Sequence, residues 1–238
     1  GQIWTNPHPI AMPIPGAAEA PGAMQVLESG RWIAPYSPYN TFDPKLVVDR
    51  GQTVVVYSDD EGKTWGHTSM IRFAEPDSSS AEAWLVEIAP NRLVGTAWRI
   101  DLAGKADYPD AFAVSSDGGS TWSPTRSTGI QGQSTALAKL ADGRALFIYN
   151  QRKHGEIGVW LAVVRPTETE FKTDLNARIW KAPTRTRSGT SGDHAQWTDF
   201  SFGEPAITAL DDGTLVAVLW CIQPDGRGIR FVRLRIAD

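Results

Sequence analysis

Two glutamates and a serine hold one recurring place in this chain. Glu82 stands three residues before Leu85 and six before Ile88, Ser134 stands likewise before Leu137 and Leu140, and Glu204 before Ile207 and Leu210. Two arginines recur as well, Arg99 after Ala97-Trp98 and Arg152 after Asn150-Gln151, each closing an apolar run. Two carboxyls in unequal surroundings can divide the work of acid and base, since burial raises a carboxyl pKa and a nearby guanidinium lowers it. Two convergent guanidiniums can hold a carboxylate through paired N–H donors. Glu82 and Glu204 are therefore the candidate catalytic residues, and Arg99 and Arg152 the candidate substrate clamp. Each has an ordinary alternative: Glu82 as a strand cap or member of an ion pair, Glu204 as a structural partner of Arg152. Tyr108, in the insert Asp101 to Asp110, is a candidate aromatic platform for a ligand. His154, in Lys153-His154-Gly155, reads as a surface-loop residue or a further site residue. No metal or cofactor is expected.

Those residues can act together only if the elements carrying them meet, and the chain has a repeat that would bring this about. Ser58-Asp59-Asp60-Glu61-Gly62-Lys63-Thr64-Trp65 and Ser115-Ser116-Asp117-Gly118-Gly119-Ser120-Thr121-Trp122 share the pattern S-x-D-x-G-x-T-W. Each follows a β-rich run and precedes another apolar segment, so each predicts a turn between antiparallel strands, with Asp accepting from its own backbone and Gly supplying positive φ. Degenerate echoes end at Trp4 and Trp180, so the tryptophans stand 61, 57 and 58 residues apart. Within the repeats, paired strands are predicted on either side of Ser29-Gly30, Pro90-Asn91, Ala141-Asp142-Gly143 and Asp211-Asp212-Gly213. A repeat of this length with several strands points to propeller blades, whose first strands line a central channel. Leu46 to Tyr57, interrupted at Asp49-Arg50-Gly51, is expected to supply a third strand of the first repeat. The last strand, Gly228 to Ile236, alternates apolar residues with Arg230, Arg233 and Arg235, which predicts one apolar and one basic face apart from Val232. Pro7 to Pro21 and Pro183 to Thr198 fall outside the beat and are expected as loops; the second carries Arg185, Arg187, Asp193, His194 and Trp197, residue types able to handle an acidic sugar.

Composition fits an all-β reading. The 238 residues are 41% hydrophobic with no long apolar run, and the 10 Trp, 22 Gly and 16 Pro suit short strands and tight turns. With 23 basic against 27 acidic residues, no basic stripe offers itself to nucleic acid, and no membrane span is predicted. Cys221 stands alone inside an apolar run, the ordinary setting of a buried thiol.

The two S-x-D-x-G-x-T-W stretches resemble the Asp-box, or bacterial neuraminidase repeat, of the sialidase superfamily. That resemblance implies a β-propeller in which the boxes lie on the rim, which makes Asp60 and Asp117 structural. It also implies six blades, so the four repeats seen here, beginning inside a half-box at Gly1 to Trp4, read as one N-terminally incomplete domain over residues 1–238. The alternative is that Gln2 to Ile10 closes a smaller ring. The family places a Glu at the start of a first strand with an Arg ending the second strand of the same blade, which Glu82 and Arg99 match; Arg152 resembles the Arg of the next blade. The family's nucleophilic Tyr would fall at Glu204, and the nearby Phe200 and Phe202 have no hydroxyl. The resemblance thus implies an exo-glycosidase acting on a carboxylate-bearing sugar, with a non-catalytic glycan- or protein-binding propeller, or a polysaccharide lyase, as alternatives. A secreted or periplasmic location is implied by the resemblance alone.

Overall fold

The computed structural model describes residues 3, 7–39, 43–188 and 199–236. These form four antiparallel sheets and no α-helix among the described residues. The first sheet holds β1 (Ala17–Glu19), β2 (Gln25–Val26), β3 (Trp32–Tyr39), β4 (Gln52–Ser58) and β5 (Gly66–Arg72). The second holds β6 (Ser78–Ala89), β7 (Arg92–Asp101), β8 (Ala111–Ser115) and β9 (Arg126–Ser127). The third holds β10 (Gln133–Lys139), β11 (Ala145–Gln151), β12 (Gly158–Pro166) and β13 (Phe171–Lys181), and the fourth β14 (Phe202–Ala209), β15 (Leu215–Gln223) and β16 (Gly226–Leu234). Each is a meander in chain order, β1 and β2 together serving as the first strand of the first sheet.

Cores form between successive sheets rather than inside one. Ile33, Val55 and Met70 meet Leu85 and Leu93 between the first and second sheets. Val94 and Phe112 meet Phe147 and Phe171 between the second and third. Ile148 and Leu161 meet Phe202 and Leu219 between the third and fourth. Both faces of the inner sheets are thereby buried, which is why their strands read as continuous Val, Ile, Leu and Phe runs. The first strands β6, β10 and β14 lie side by side along this stack. These are the blades of a β-propeller of the sialidase type.

The four predicted hairpins form where expected, each with a positive-φ residue in its turn: Gly30, Asn91, Gly143 and Gly213. The two box turns satisfy themselves. In the first, Asp60 accepts from the Thr64 N–H at 2.8 Å and its hydroxyl at 2.7 Å, and Ser58 Oγ accepts from Gly62 N–H at 2.8 Å. In the second, Asp117 accepts from Thr121 N–H at 2.9 Å and its hydroxyl at 2.6 Å, and Ser115 Oγ accepts from Gly119 N–H at 2.9 Å. These donors hold the Asp60 carboxyl down to about 2, the Thr64 backbone contributing most. Arg31 ties the two rims together, with Nε donating to Asp59 at 2.7 Å and Nη1 donating to the Gly118 carbonyl at 3.0 Å.

Four expectations change. Pro7 to Pro21 is not wholly a loop, since Ala17–Glu19 pairs with β3 through Glu19↔Ser37. Leu46 to Gly51 is not strand; pairing begins at Gln52. Trp180 belongs to no turn but lies within the 11-residue β13, because the β12–β13 hairpin turns earlier, at Thr167 to Glu170, a stretch without Asp or Gly. On β16 the parity of the pleat sorts side chains differently from the basic and apolar split: Ile229 and Phe231 are 71% and 69% exposed, while Arg230 shares the half-buried side with Val232 and Leu234. Trp4, Asp193, His194 and Trp197 lie outside the described residues.

Candidate active site

The equivalence of Glu82, Ser134 and Glu204 is carried by the backbone. All three are non-glycine residues at positive φ, 50°, 49° and 41° respectively. Each lies in a break of register where a first strand meets a second, at Ala81/Trp84, Gln133/Thr135 and Gly203/Ala206. A bulge of this kind turns one side chain out of the pleat, and a β-region residue forced to positive φ costs about 1–3 kcal/mol. Three such bulges on adjacent first strands set Glu82, Ser134 and Glu204 around one guanidinium, that of Arg152.

Glu82 is the central group. Burial lifts its carboxyl to about 7, against the opposing pull of the Arg152 guanidinium and the Ser134 hydroxyl, with Glu19 and Glu204 adding to the rise. Its Oε2 is buried without a hydrogen-bond partner. Glu19, on β1, accepts from the Glu82 backbone N–H at 3.0 Å, and its own carboxyl is raised by burial and by Glu204. Glu204 is exposed and accepts from the Trp220 indole N–H. Arg152 is 3% exposed. Its Nε donates to Gln133 Oε1 at 2.9 Å, Nη1 to the Phe202 carbonyl at 3.1 Å and Nη2 to Ser134 Oγ at 3.3 Å, and its guanidinium lies 3.7 Å from the centroid of the Phe200 ring. Burial lowers it to about 10 while Glu82 and Glu204 pull upward. One buried cation thus lies among two carboxyls, Glu82 and Glu204, with Glu19 on the far side of Glu82.

Glu82, Arg152 and Glu204 are therefore brought together. Arg99 has different company. Its guanidinium lies 4.0 Å from the Tyr108 ring centroid and 5.0 Å from that of Phe73, donates to Ser78 Oγ from Nε at 3.1 Å and Nη2 at 3.0 Å, and pairs with Glu75 at 2.9 Å. His154 contacts Asp107 of the same insert that carries Tyr108, and Lys153 lies 3.7 Å from Asp107. Arg99, Tyr108 and His154 thus gather on the insert 101–110, beside the central group.

Two carboxyls close to Glu82 escape a reading of the sequence. Glu19 ends β1 and is separated from β2 by Ala20 to Met24, so it falls off the three-and-six spacing that marks Glu82, Ser134 and Glu204. Asp110, at the end of the insert, is wholly buried, and burial followed by the neighbouring Glu82 and Asp107 raises it well above the carboxylate range, against the pull of the Gly132 backbone N–H. Its only sequence signal is an acid directly preceding the buried strand Ala111–Ser115.

A family described as a BNR repeat-like domain matches residues 1–215. By sequence, no curated protein matches the chain. Among solved structures, a protein of unknown function from Dyadobacter fermentans is 23% identical with a TM-score of 0.69, over 92% of this chain and 54% of that one. The NanB sialidase from Streptococcus pneumoniae is 21% identical with a TM-score of 0.56, over 90% of this chain and 30% of that one. An alpha-L-arabinanase of Penicillium chrysogenum is 15% identical with a TM-score of 0.52, over 90% and 64%. The chain thus spans about half of the first of these proteins and under a third of the second.

Proposed function

The chain belongs to the BNR repeat-like domain family, and from that premise we propose that it is a glycoside hydrolase of sialidase-like type acting on a carboxylate-bearing sugar. The observation that carries this reading is Glu82, a buried carboxyl at about 7 facing Glu204 and Arg152 from a strained bulge. A carboxyl in that range can give and take a proton near neutral pH, as a general acid or base must. Glu204, exposed and oriented by the Trp220 indole, acts from the next blade but one as the second carboxyl or stabiliser of the reacting face. Arg152 holds the Glu82 region in charge balance, and Arg99, Tyr108 and His154 line the approach to it. The sialidase and arabinanase neighbours support sugar chemistry on this scaffold.

Turnover of a fluorogenic sialoside and of uronate-containing oligosaccharides tests the reading, with Glu82→Gln as the decisive variant. Measurable turnover that Glu82→Gln leaves intact would remove the catalytic assignment. A second reading, a glycan-binding propeller without turnover, is favoured by one observation: where the resemblance looks for a tyrosine nucleophile, Phe202 is fully buried and Phe200 is stacked on Arg152. Saturable sugar binding with no hydrolysis, weakened in Arg99→Ala, would support that reading instead.

A further inference from the structure

A cavity of about 220 Å³ opens beside the last strand of the first sheet and the upper end of the second. Three guanidiniums line it, Arg72 at the end of β5, Arg99 near the end of β7 and Arg126 on β9, against one carboxylate, Glu75. The two sheets are fastened together here, the Arg72 N–H donating to Thr125 Oγ1 at 2.8 Å. Arg99 is the fixed wall, its planar group held between Tyr108 and Phe73 and pinned at its edge by Ser78. Arg72 is 58% exposed and shares Asp49, itself half exposed, at 3.1 Å. Arg126 gives its Nε to the Glu168 carbonyl and makes no ion pair among the described residues. Three cations against two carboxylates, Glu75 in the wall and Asp49 beside it, leave net positive charge in a concave site, which concentrates anions there. Planar guanidiniums whose faces or edges are already fixed lose little freedom in binding a carboxylate or sulfate through paired N–H donors.

We propose that this cavity is an anion subsite, taking the carboxylate or sulfate group of a sugar unit adjoining the one held at the central carboxyls. The identity of the ligand as a sugar rests on the reading given above; the charge it must carry rests on the cavity alone. The two sites are joined by one strand. Ser78, bonded to Arg99, and Glu82 are four residues apart on β6, so their backbones stand about 13 Å apart along the extended strand. A span of that order suits a short oligosaccharide.

The test is titration calorimetry with three disaccharides identical except at one position, which carries a hydroxyl, a carboxylate or a sulfate ester. The charged disaccharides are expected to bind about tenfold more tightly than the uncharged one, in wild type and in Glu82→Gln alike. Tighter binding of either charged sugar supports the subsite and names its group. In the Arg72→Gln/Arg126→Gln double variant the charge preference is expected to fall below about twofold, with the Kd of the uncharged disaccharide and the circular dichroism spectrum unchanged. Equal binding of all three, no binding of any, or a preference that survives the double variant would overturn the subsite. The central reading fails separately: charge-selective binding without hydrolysis removes that reading and keeps this one, while hydrolysis without charge preference does the reverse.

Discussion

The rim turns and the central bulges are both repeated features of this molecule, and they are held in opposite ways. At the rim, Asp60 and Asp117 take their hydrogen bonds from residues four positions on, so each turn closes on itself. At the centre, Glu82 answers to Glu19 on one blade, Ser134 and Arg152 on the next and Glu204 beyond. Local satisfaction yields depressed carboxyls and stiff corners; satisfaction across blades leaves Glu82 raised, with an unpartnered Oε2. Strain and incomplete pairing at a site are kept only where the surrounding structure over-determines them, and here they fall where reactivity is proposed.

The strongest way to break this contrast is at its centre. Glu82→Gln is expected to lower turnover of a cleaved glycoside by about 10²–10⁴-fold, read from initial rates, with the circular dichroism spectrum retained. Arg152→Met removes the one buried cation of the group with its hydrogen bonds to Gln133, Ser134 and the Phe202 carbonyl, and is expected to cost about 3–5 kcal/mol in urea unfolding at pH 8, where Glu82 is ionised. A Glu82→Gln/Arg152→Met double variant should recover part of that loss; strict additivity would show that the two residues are not coupled.

The pH dependence sharpens the comparison. Because Glu82 holds its proton more tightly folded, at about 7, than unfolded, at about 4.5, it favours the folded state least once both forms are ionised. Stability is therefore expected to fall as pH rises from about 4.5 to about 7, and Glu82→Gln should be the more stable protein at pH 8 by about 1–3 kcal/mol, the advantage vanishing near pH 4. At the rim the sign reverses: Asp60, held at about 2, contributes stability above its unfolded pKa that is lost as pH falls toward 2.

Smaller effects belong to the rim itself. Ser115→Ala removes the acceptor of Gly119 N–H and the donor to Asp117 from a buried position, with an expected loss of about 1–2 kcal/mol in chemical denaturation and no change in turnover. The two boxes also differ at one strained position. Glu61 sits at φ 59° where the second box has Gly118 at 68°, so Glu61→Gly is expected to raise stability by less than about 1 kcal/mol, relief of the left-handed conformation being partly offset by the freer unfolded chain. A clear destabilisation would mean that the Glu61 side chain carries weight in the turn.

What could be read from the chain follows the same division. The repeat of Trp65 and Trp122, the Asp and Gly of the turns and the hairpins at Asn91, Gly143 and Gly213 were legible because each depends on neighbours within a few residues, and together they determined an all-β array of blades. The matched places of Glu82, Ser134 and Glu204 were legible too, since a repeat carries its register with it. Glu19 and Asp110 were not, one set apart from β2 by Ala20 to Met24 and the other marked by burial alone, and neither quantity is written locally. Only the packing of one blade on the next decided that Arg152 would be enclosed by Gln133, Ser134 and Phe202 while Arg99 stacked on Tyr108. Charge, desolvation and partnership are properties of the assembled interface, and no spacing of residues along the strands specifies them.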